Sequence, residues 1–333
     1  MTAQRLAMAE RRRNPLTNEW VVITAHRQRR TYRPPTAQCP LCPTSANSEG
    51  FTEVPFETYE VAVFENRFPA LSPVGTIEPP STAGLYHSDP AYGHCEVIVY
   101  SDKHEQTFSD LSPERIRLVI DVWIDRCMTL GSDPGVNYVM PFENKGELVG
   151  ATLGHPHGQI YAFPDIPPRP RQQLSTAQQY FSSTRRCVQC DVCACEMESP
   201  VRVVIDTNSW LAYVPFAPQF PFEIHVVPKA HSPSLLELSG EDKRELTDVL
   251  SRVAKCYDRL WNFSLPYVMT IHQRPANDEC EWDRFCHVRI EFKPIHREAT
   301  KLKYLAGAEL AAGAFIVDVL PEDAAAQLKR ALP

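Results

Sequence analysis

Glycine and long apolar runs are both scarce in this chain. Its 333 residues include 13 glycines against 30 prolines, a balance that indicates short strands joined by extended connections. No stretch approaches the roughly 20 apolar residues that a membrane-spanning helix needs. The N-terminus also lacks the apolar core of a secretory signal. We therefore expect a cytoplasmic protein that has no membrane partner.

A long block of charge of one sign is also absent. The chain has 34 basic and 41 acidic side chains, which give a net charge of −7. Nucleic-acid binding needs a basic face, so we expect no nucleic-acid partner, and any phosphate-binding site should be local. In a cytoplasmic protein the 11 cysteines are better explained as thiols or metal ligands than as disulfides.

Two segments of the chain share one pattern of residues. Residues 95–126 can be laid over 222–259, because each has an apolar strand pattern, a turn with lysine and histidine, a Leu-Ser cap and an amphipathic helix. A Cys-x-x-Cys precedes each strand, and two further strand patterns follow each helix. The sequence therefore predicts an α+β fold of two half-domains related by an internal repeat, with mainly antiparallel sheet and one long helix in each half. The proline-rich stretch 163–173 would join these half-domains, which we place at residues 1–165 and 166–333.

The repeated cysteines and histidines have the spacing of zinc ligands. In the first half, Cys39 and Cys42 could bind one ion, with His104 and His155 as the remaining ligands of a tetrahedral site. By the repeat, a second zinc ion would be held by the equivalent residues, Cys187, Cys190, His231 and His287. A redox pair or buried thiols are the alternatives for either Cys-x-x-Cys. A site closed by four protein ligands holds strands together, so we expect both zinc ions to be structural.

The stretch Gly-His-Pro-His-Gly-Gln places His155, His157 and Gln159 at every second position. In a β-strand all three side chains would project from one face, although an exposed polar strand would show the same pattern. When the repeat is aligned, Arg289 and Glu291 stand opposite His157 and Gln159, so only the first half has a second histidine. Neutral imidazole is a good nucleophile at pH 7. We therefore expect His157 to attack phosphorus while Gln159 donates an amide hydrogen bond to a phosphoryl oxygen.

Five stretches between about Arg13 and Phe315 match a known pattern. They are RRNPLTNEWVVITAHRQRR, CPLCP, VFENRFPAL, FENKGELVGATLGHPHGQI and VPFAPQFPFEIHVVPKAH. In this order they resemble the galactose-1-phosphate uridylyltransferase family, a branch of the histidine-triad superfamily. The resemblance implies a homodimeric zinc enzyme of galactose metabolism. Such an enzyme exchanges UMP between UDP-glucose and galactose 1-phosphate through a covalent uridylyl-histidine.

The resemblance also implies roles for individual residues. His157 would be the nucleophile, and Gln159 would contact the transferred phosphoryl group. The implied substrate contacts are Arg27 and Arg30 near the diphosphate or the sugar phosphate, Asn66 in the nucleoside pocket, Asn144 and Thr152 near the phosphates, and Lys303, Tyr304 and Glu309 at the sugar. Because the family is dimeric, the last three could reach the sugar bound by the partner subunit. Each assignment has a plainer explanation. The arginines could belong to a solvated basic run, and Asn144 could be an ordinary turn residue.

Departures from the family pattern leave the substrate open. Arg67 stands where an acid often follows the nucleoside-pocket asparagine, and Ala308 and Phe315 replace a tyrosine and a glutamine that contact the hexose in well-known members. The second Cys-x-x-Cys, beside which Cys193 and Cys195 could compete as ligands, resembles relatives with two zinc ions, including phosphorylases of adenylyl sugars. The alternatives are therefore an ADP-sugar phosphorylase with the same covalent-histidine chemistry, and a zinc-stabilised nucleotide-binding protein without turnover.

Overall fold

Strands and helices alternate along the chain in the computed structural model, which describes residues 9–29, 33–44, 52–73, 84–276 and 280–333. The strands are β1 (Glu10–Arg13), β2 (Trp20–Ile23), β3 (Ala62–Glu65), β4 (Ser88–Pro90), β5 (His94–Val99), β6 (Tyr138–Lys145), β7 (His157–Phe163), β8 (Val203–Asp206), β9 (Trp210–Tyr213), β10 (Ile224–Pro228), β11 (Tyr267–His272), β12 (Arg289–Pro294), β13 (His296–Glu298) and β14 (Lys301–Leu302). The helices are α1 (Pro113–Gly131), α2 (Pro168–Thr184), α3 (Val188–Glu198), α4 (Gly240–Leu260), α5 (Gly307–Ala312) and α6 (Pro321–Ala331). None of the described helices has the length and apolar character to span a bilayer.

Nine strands form one sheet that runs through both halves of the chain. Their order is β3-β5-β7-β6-β11-β12-β10-β9-β8, and every neighbouring pair is antiparallel. At the centre, β6 pairs with β11, where Lys145 lies opposite Tyr267 and Phe142 opposite Thr270. The predicted α+β class with mainly antiparallel sheet is confirmed. The internal repeat and the boundary at residue 165 stay predictions.

One long helix from each half packs against the sheet. Helix α1 begins after Ser112, whose hydroxyl accepts a hydrogen bond from the backbone N–H of Arg115, and α4 begins after Ser239, which forms a reciprocal capping box with Asp242. The two helices contact each other, and their apolar faces share one buried cluster with strand residues that include Ile160. This cluster forms the main core and closes one face of the sheet.

The proline-rich stretch that we expected to be a connection is partly helical. Helix α2 starts at Pro168, and its buried side chains include Pro170, Leu174 and Ala177. Proline is well tolerated in the first turn of a helix, because the N–H groups there have no intrahelical partner. The same prolines that indicated an extended linker therefore form the start of a helix.

Strand β7 has two unlike faces. Its residues alternate between partly exposed and buried along the whole strand. Gly158, Ile160 and Ala162 point to the helices, while His157 and Gln159 point to the opposite face. The period of two in the sequence thus places both predicted catalytic side chains on the face of the sheet opposite helices α1 and α4.

Candidate active site and metal sites

The predicted nucleophile lies on a strand that is paired on both sides. In the neighbouring strand β5, Val99 lies opposite His157 and Val97 opposite Gln159, and on the other side Phe142 of β6 lies opposite Gln159. A strand with two hydrogen-bonded neighbours has little freedom to shift. The two side chains are therefore presented from a rigid part of the fold.

One hydrogen bond fixes the tautomer of His157. Its Nδ1 lies 2.7 Å from the backbone oxygen of His155, and because a carbonyl oxygen can only accept, Nδ1 carries the proton. The lone pair is then on Nε2. Burial lowers the pKa of His157, which the bond to the carbonyl only partly offsets, so the ring is neutral at pH 7. A neutral imidazole with a free Nε2 is suited to nucleophilic attack.

Asn66 orients the amide of Gln159. The Asn66 Nδ2 donates to the Gln159 Oε1 over 3.4 Å, while the Asn66 Oδ1 accepts from the backbone N–H of Phe68 over 2.9 Å. Since its carbonyl oxygen is engaged, Gln159 has its NH₂ group available as a donor. This arrangement provides a hydrogen-bond donor on the same strand face as the His157 imidazole.

A cavity of about 180 Å³ opens over this face of the sheet. It brings together both predicted catalytic residues and four of the predicted substrate contacts, namely His157, Gln159, Arg27, Asn66, Asn144 and Thr152. A neighbouring cavity of about 200 Å³ shares His157, Asn144 and Thr152 with it and adds Arg33. The predicted residues thus surround one nucleophile from two sides. Arg30 lies outside the described residues.

The positive charge of Arg27 is held beside strand β7. Its Nη1 donates to the hydroxyl of Tyr161 over 3.3 Å, and Tyr161 also lines the cavity. Tyr161 projects from the same face of the strand as the predicted nucleophile, because it follows Gln159 by two residues. The guanidinium is therefore placed where an anionic ligand of the cavity would need a cation.

Several lining residues were missed by the sequence analysis, and Phe142 and Glu53 show why. Phe142 lies on the cavity face of β6, directly opposite Gln159, and its place in the Phe-Glu-Asn-Lys-Gly stretch was an available signal. Glu53 lines the cavity near Arg67, where burial raises the pKa of its carboxyl and the charge of Arg67 lowers it. No motif contains Glu53, so nothing in the sequence pointed to it.

The C-terminal residues predicted to contact the sugar are not brought to this cavity within one chain. Lys303 donates to Glu309 over 2.8 Å, and both side chains are only 6% exposed. Tyr304 is 73% exposed. None of the three lines either cavity, nor do Ala308 and Phe315, the positions at which the chain departs from the family pattern. Within the described residues of one chain, the two cavities around His157 are therefore formed without these residues.

Cys39, Cys42, His104 and His155 form one compact group. One atom from each lies within 4.8 Å of the atoms of the other three. The Cys42 sulphur is 3.4 Å from the His104 Nδ1 and 3.5 Å from the His155 Nδ1. The His155 Nε2 donates to the backbone oxygen of Ser101 over 2.6 Å, so Nδ1 is left as the ligand atom.

This donor set fits zinc. Two thiolates and two imidazoles make a closed tetrahedral set. Burial raises the pKa of the Cys42 thiol to about 12 and lowers that of His155 to about 4. A deprotonated thiolate in this place therefore needs a bound cation, whereas the imidazole is already in its neutral, ligating form.

The second group, formed by Cys187, Cys190, His231 and His287, has the same arrangement. Its ligand atoms also lie within 4.8 Å of one another, and the Cys190 sulphur is 3.5 Å from the Nδ1 of each histidine. The Nε2 of His231 donates to Asp283 O and the Nε2 of His287 to Pro228 O, over 2.7 and 3.0 Å. Each of the two groups could therefore hold one metal ion.

Cys193 and Cys195 are not part of the second group. Cys193 packs in a separate apolar cluster with neighbours such as Leu211 and Tyr213, while Cys195 is exposed. Both lie on helix α3, where Cys193 follows Cys190 by about one turn but is buried in that apolar cluster. Competition between these thiols and the predicted ligands is therefore not a feature of this structure.

At the positions that the predicted repeat aligns with His157 and Gln159, the second half has an ion pair. Arg289 donates to Glu291 through Nε over 2.8 Å, and Lys293 also pairs with Glu291. Glu291, Glu223 and His225 come within metal-binding distance of one another. The two cations already balance the Glu291 charge, so this group resembles an ion-pair network more than a metal site.

Comparisons with known proteins agree with the geometry. Two family models match, the N-terminal domain of galactose-1-phosphate uridyl transferase over residues 2–167 and its C-terminal domain over 173–333. A protein of Thermotoga maritima named galactose-1-phosphate uridylyltransferase is 39% identical over 97% of this chain and 98% of its own. One of the same name from Streptomyces lividans is 34% identical over 87% of this chain and 78% of its own.

Solved structures show the same fold. A uridylyltransferase structure superposes with a TM-score of 0.85 at 30% identity and covers 97% of this chain and 98% of its own. An ADP-glucose phosphorylase from Arabidopsis thaliana, solved with ADP-glucose, has a TM-score of 0.73 at 27% identity, over 96% of this chain and 98% of its own. With both family models matched over nearly its whole length, the chain belongs to the galactose-1-phosphate uridylyltransferase family.

Proposed function

We propose that the protein exchanges UMP between UDP-glucose and galactose 1-phosphate through a covalent uridylyl-histidine at His157. The observation that carries this proposal is the hydrogen bond from the His157 Nδ1 to the His155 carbonyl, which leaves Nε2 as a free nucleophile inside the cavity. The names of the similar curated proteins supply the substrates. The sugar acceptor follows from those names and not from a residue of the cavity.

The exchange takes two displacements at phosphorus. In the first, the His157 Nε2 attacks the α-phosphorus of UDP-glucose, an N–P bond forms, and the P–O bond to glucose 1-phosphate breaks. In the second, a phosphate oxygen of galactose 1-phosphate attacks the same phosphorus, and the N–P bond breaks to release UDP-galactose. Nε2 carries no proton and the leaving group departs as an anion, so neither step requires proton transfer to a protein group.

Catalysis then depends on positioning and on stabilisation of charge. The NH₂ group of Gln159 would donate to a non-bridging oxygen of the transferred phosphoryl group. Arg27 would supply the positive charge for the diphosphate, with Asn144 and Thr152 as neutral donors beside it. These roles rest on the common cavity and on the hydrogen bond that directs the Gln159 amide.

The nucleoside would occupy the apolar part of the cavity. Phe64, Phe68 and Phe142 provide aromatic surface there, on which a base could stack. Asn66 would bind the nucleoside through the amide N–H and the Oδ1 lone pair that its contacts with Gln159 and Phe68 leave available. Arg67, which lines the same cavity, would then lie near the ribose or the base.

We propose that each Cys/His group binds one structural zinc ion. Such an ion would supply charge neutralisation and cross-linking, because four protein ligands leave no position for substrate. The first group includes His155, whose carbonyl holds the His157 ring. The metal site and the orientation of the nucleophile therefore share one residue.

We further propose that the protein is a cytoplasmic homodimer. Each of its chains would consist of two parts, divided near residue 165. In a dimer, Lys303, Tyr304 and Glu309 could reach the partner's cavity, since they do not line the cavity of their own chain. The same segment has exposed apolar side chains, among them Leu310, which is 74% exposed. An apolar exposed segment of this kind is typical of a protein interface.

A second candidate function is an ADP-sugar phosphorylase with the same covalent histidine. It is favoured by the similarity to ADP-glucose phosphorylase, by the presence of two Cys/His groups, and by Arg67 in the nucleoside part of the cavity. The chemistry at His157 would be unchanged, and inorganic phosphate would take the place of the sugar phosphate.

The intermediate can be tested directly by intact mass. Protein is incubated with UDP-glucose alone and, separately, with ADP-glucose. We expect a uridylyl adduct that galactose 1-phosphate discharges. His157→Gly should form none, whereas His87→Gly, which removes an exposed histidine outside both cavities, should form it normally. An adenylyl adduct discharged by phosphate would support the phosphorylase, and no adduct from zinc-loaded protein would refute the covalent mechanism.

A further inference from the structure

A buried polar group lies behind strand β7, on the side away from the cavity. It consists of Tyr100 just after β5, Glu143 in β6 and Tyr267 at the start of β11. The tyrosines are completely buried and Glu143 is 4% exposed. All three belong to the sheet face that packs on helices α1 and α4, where nearly all other side chains are apolar.

The Tyr100 hydroxyl touches the backbone that carries the nucleophile. A Cβ added at Gly158 would lie 2.0 Å from the Tyr100 Oη and 2.9 Å from its Cζ. Because no side chain fits there, position 158 requires glycine for as long as Tyr100 occupies this space. Gly158 joins His157 to Gln159, so Tyr100 contacts from behind the one residue that links both catalytic side chains.

Three polar atoms of this group have no hydrogen-bond partner among the described residues: the Tyr100 Oη, the Glu143 Oε2 and the Tyr267 Oη. Buried polar atoms are rarely left in this condition. The strand register brings them to one part of this face, because Glu143 directly follows Phe142, the partner of Gln159, and Tyr267 lies opposite Lys145, two residues after Glu143. Hydrogen bonds among the three groups would satisfy these atoms.

The nearest cation is already engaged elsewhere. The Lys145 Nζ lies 2.5 Å from the Asp258 Oδ1, and Asp258 also accepts from the backbone N–H of Leu265 and the hydroxyl of Ser109. This pair fixes the end of β6 to helix α4. Glu143, two residues earlier on the same face, is therefore anchored in position without an ion pair of its own.

We propose that Glu143 and Tyr100, together with Tyr267, are positioning residues that hold the Gly158 backbone and thereby fix His157 and Gln159 for attack on phosphorus. The proposal rests on the proposed function of His157. Tyr100 and Tyr267 line neither cavity, and Glu143, which borders the second cavity, is only 4% exposed and belongs to the face of the sheet opposite the catalytic side chains. Loss of the Tyr100 hydroxyl or the Glu143 carboxyl would loosen the support behind Gly158 and shift the nucleophile, and a misplacement of about 1 Å can slow a reaction by about 100-fold.

The test compares Glu143→Gln and Tyr100→Phe with the wild-type protein. The rate of uridylyl adduct formation from UDP-glucose is measured in single turnover, and the UDP-glucose dependence gives the apparent affinity. We expect a rate about tenfold lower in each variant, with the apparent affinity within about twofold. Tyr257→Phe is the matched control, because it also removes a buried hydroxyl, one that donates to Phe222 O over 2.9 Å, and its rate should stay within about twofold.

The outcomes separate the two proposals. A wild-type protein without adduct would refute the proposed function, and the positioning role with it. A wild-type protein that forms the adduct while Glu143→Gln and Tyr100→Phe keep its rate would refute the positioning role alone. An equal loss in Tyr257→Phe would also refute it, because the effect would then reflect general destabilisation. If Glu143→Gln does not fold, Tyr100→Phe decides the question.

Discussion

Glu143 should make the stability of the fold depend on pH. Burial raises the pKa of its carboxyl from the ordinary value of 4.5 to about 8, with Lys145 lowering it and Asp258 raising it by smaller amounts. The other groups that face Glu143 are the hydroxyls of Tyr100 and Tyr267, which stay protonated because their own pKa values are raised. The folded chain thus keeps a proton that the unfolded chain loses.

The sign and size of the effect follow from this difference. A pKa that is higher in the folded state gives a stabilising contribution that is complete below about pH 4.5 and is lost as the pH rises to about 8. At about 1.4 kcal/mol per pH unit, the free energy of unfolding should fall by about 3 kcal/mol between pH 5.5 and pH 8 through this group. Glutamine at position 143 has no proton to lose, so the variant lacks this fall.

Urea unfolding at pH 5.5 and at pH 8, followed by tryptophan fluorescence, measures the effect. The destabilisation caused by Glu143→Gln should be about 3 kcal/mol larger at pH 5.5 than at pH 8. Glu65→Gln, which changes an exposed carboxyl of β3, should show the same small effect at both pH values. If Glu143→Gln destabilises equally at both, the carboxyl is ionised throughout and the reasoning from burial is wrong.

Three further predictions concern the site and its supports. Gly158→Ala should lower the free energy of unfolding by about 1–3 kcal/mol, because the added methyl group would overpack against the Tyr100 hydroxyl. In urea unfolding, adding Tyr100→Phe should recover part of this loss. If nothing is recovered, the clash lies elsewhere. Cys42→Ser should lower the zinc content of purified protein by about one ion per chain, whereas Cys193→Ser, in an apolar cluster, should leave it unchanged. Gln159→Ala should slow adduct formation by about 100-fold, and a rate within threefold of wild type would exclude the proposed role of its amide.

The parts of the site that the sequence predicts well depend on local geometry. In a strand the side-chain period is two, so His157 and Gln159 had to share a face once the stretch was extended. The spacing of Cys39 and Cys42 likewise restricts both thiols to one side of a short turn. Their assembly with His104 and His155 required a long-range match, which the repeated pattern of cysteines and histidines supplied.

The parts of the site that the sequence predicts poorly depend on which segments of the chain meet in the fold. Glu53 reaches the cavity through a segment with no recognisable motif. Pro168 and Pro170 indicated a linker, yet the first turn of a helix tolerates both. Lys303 pairs with Glu309 in its own segment, a contact that no periodicity encodes.

Gly158, the second glycine of the Gly-His-Pro-His-Gly-Gln stretch, shows what the alternation of side chains along one strand cannot predict. The alternation identifies what points into the cavity, but a side chain at Gly158 would point the other way, toward the Tyr100 hydroxyl. Tyr100 follows strand β5, so its contact with Gly158 exists only once β5 and β7 have paired. A nucleophile held on a strand is positioned by both faces of that strand. The hidden face should therefore affect the rate of the chemical step even though no substrate reaches it.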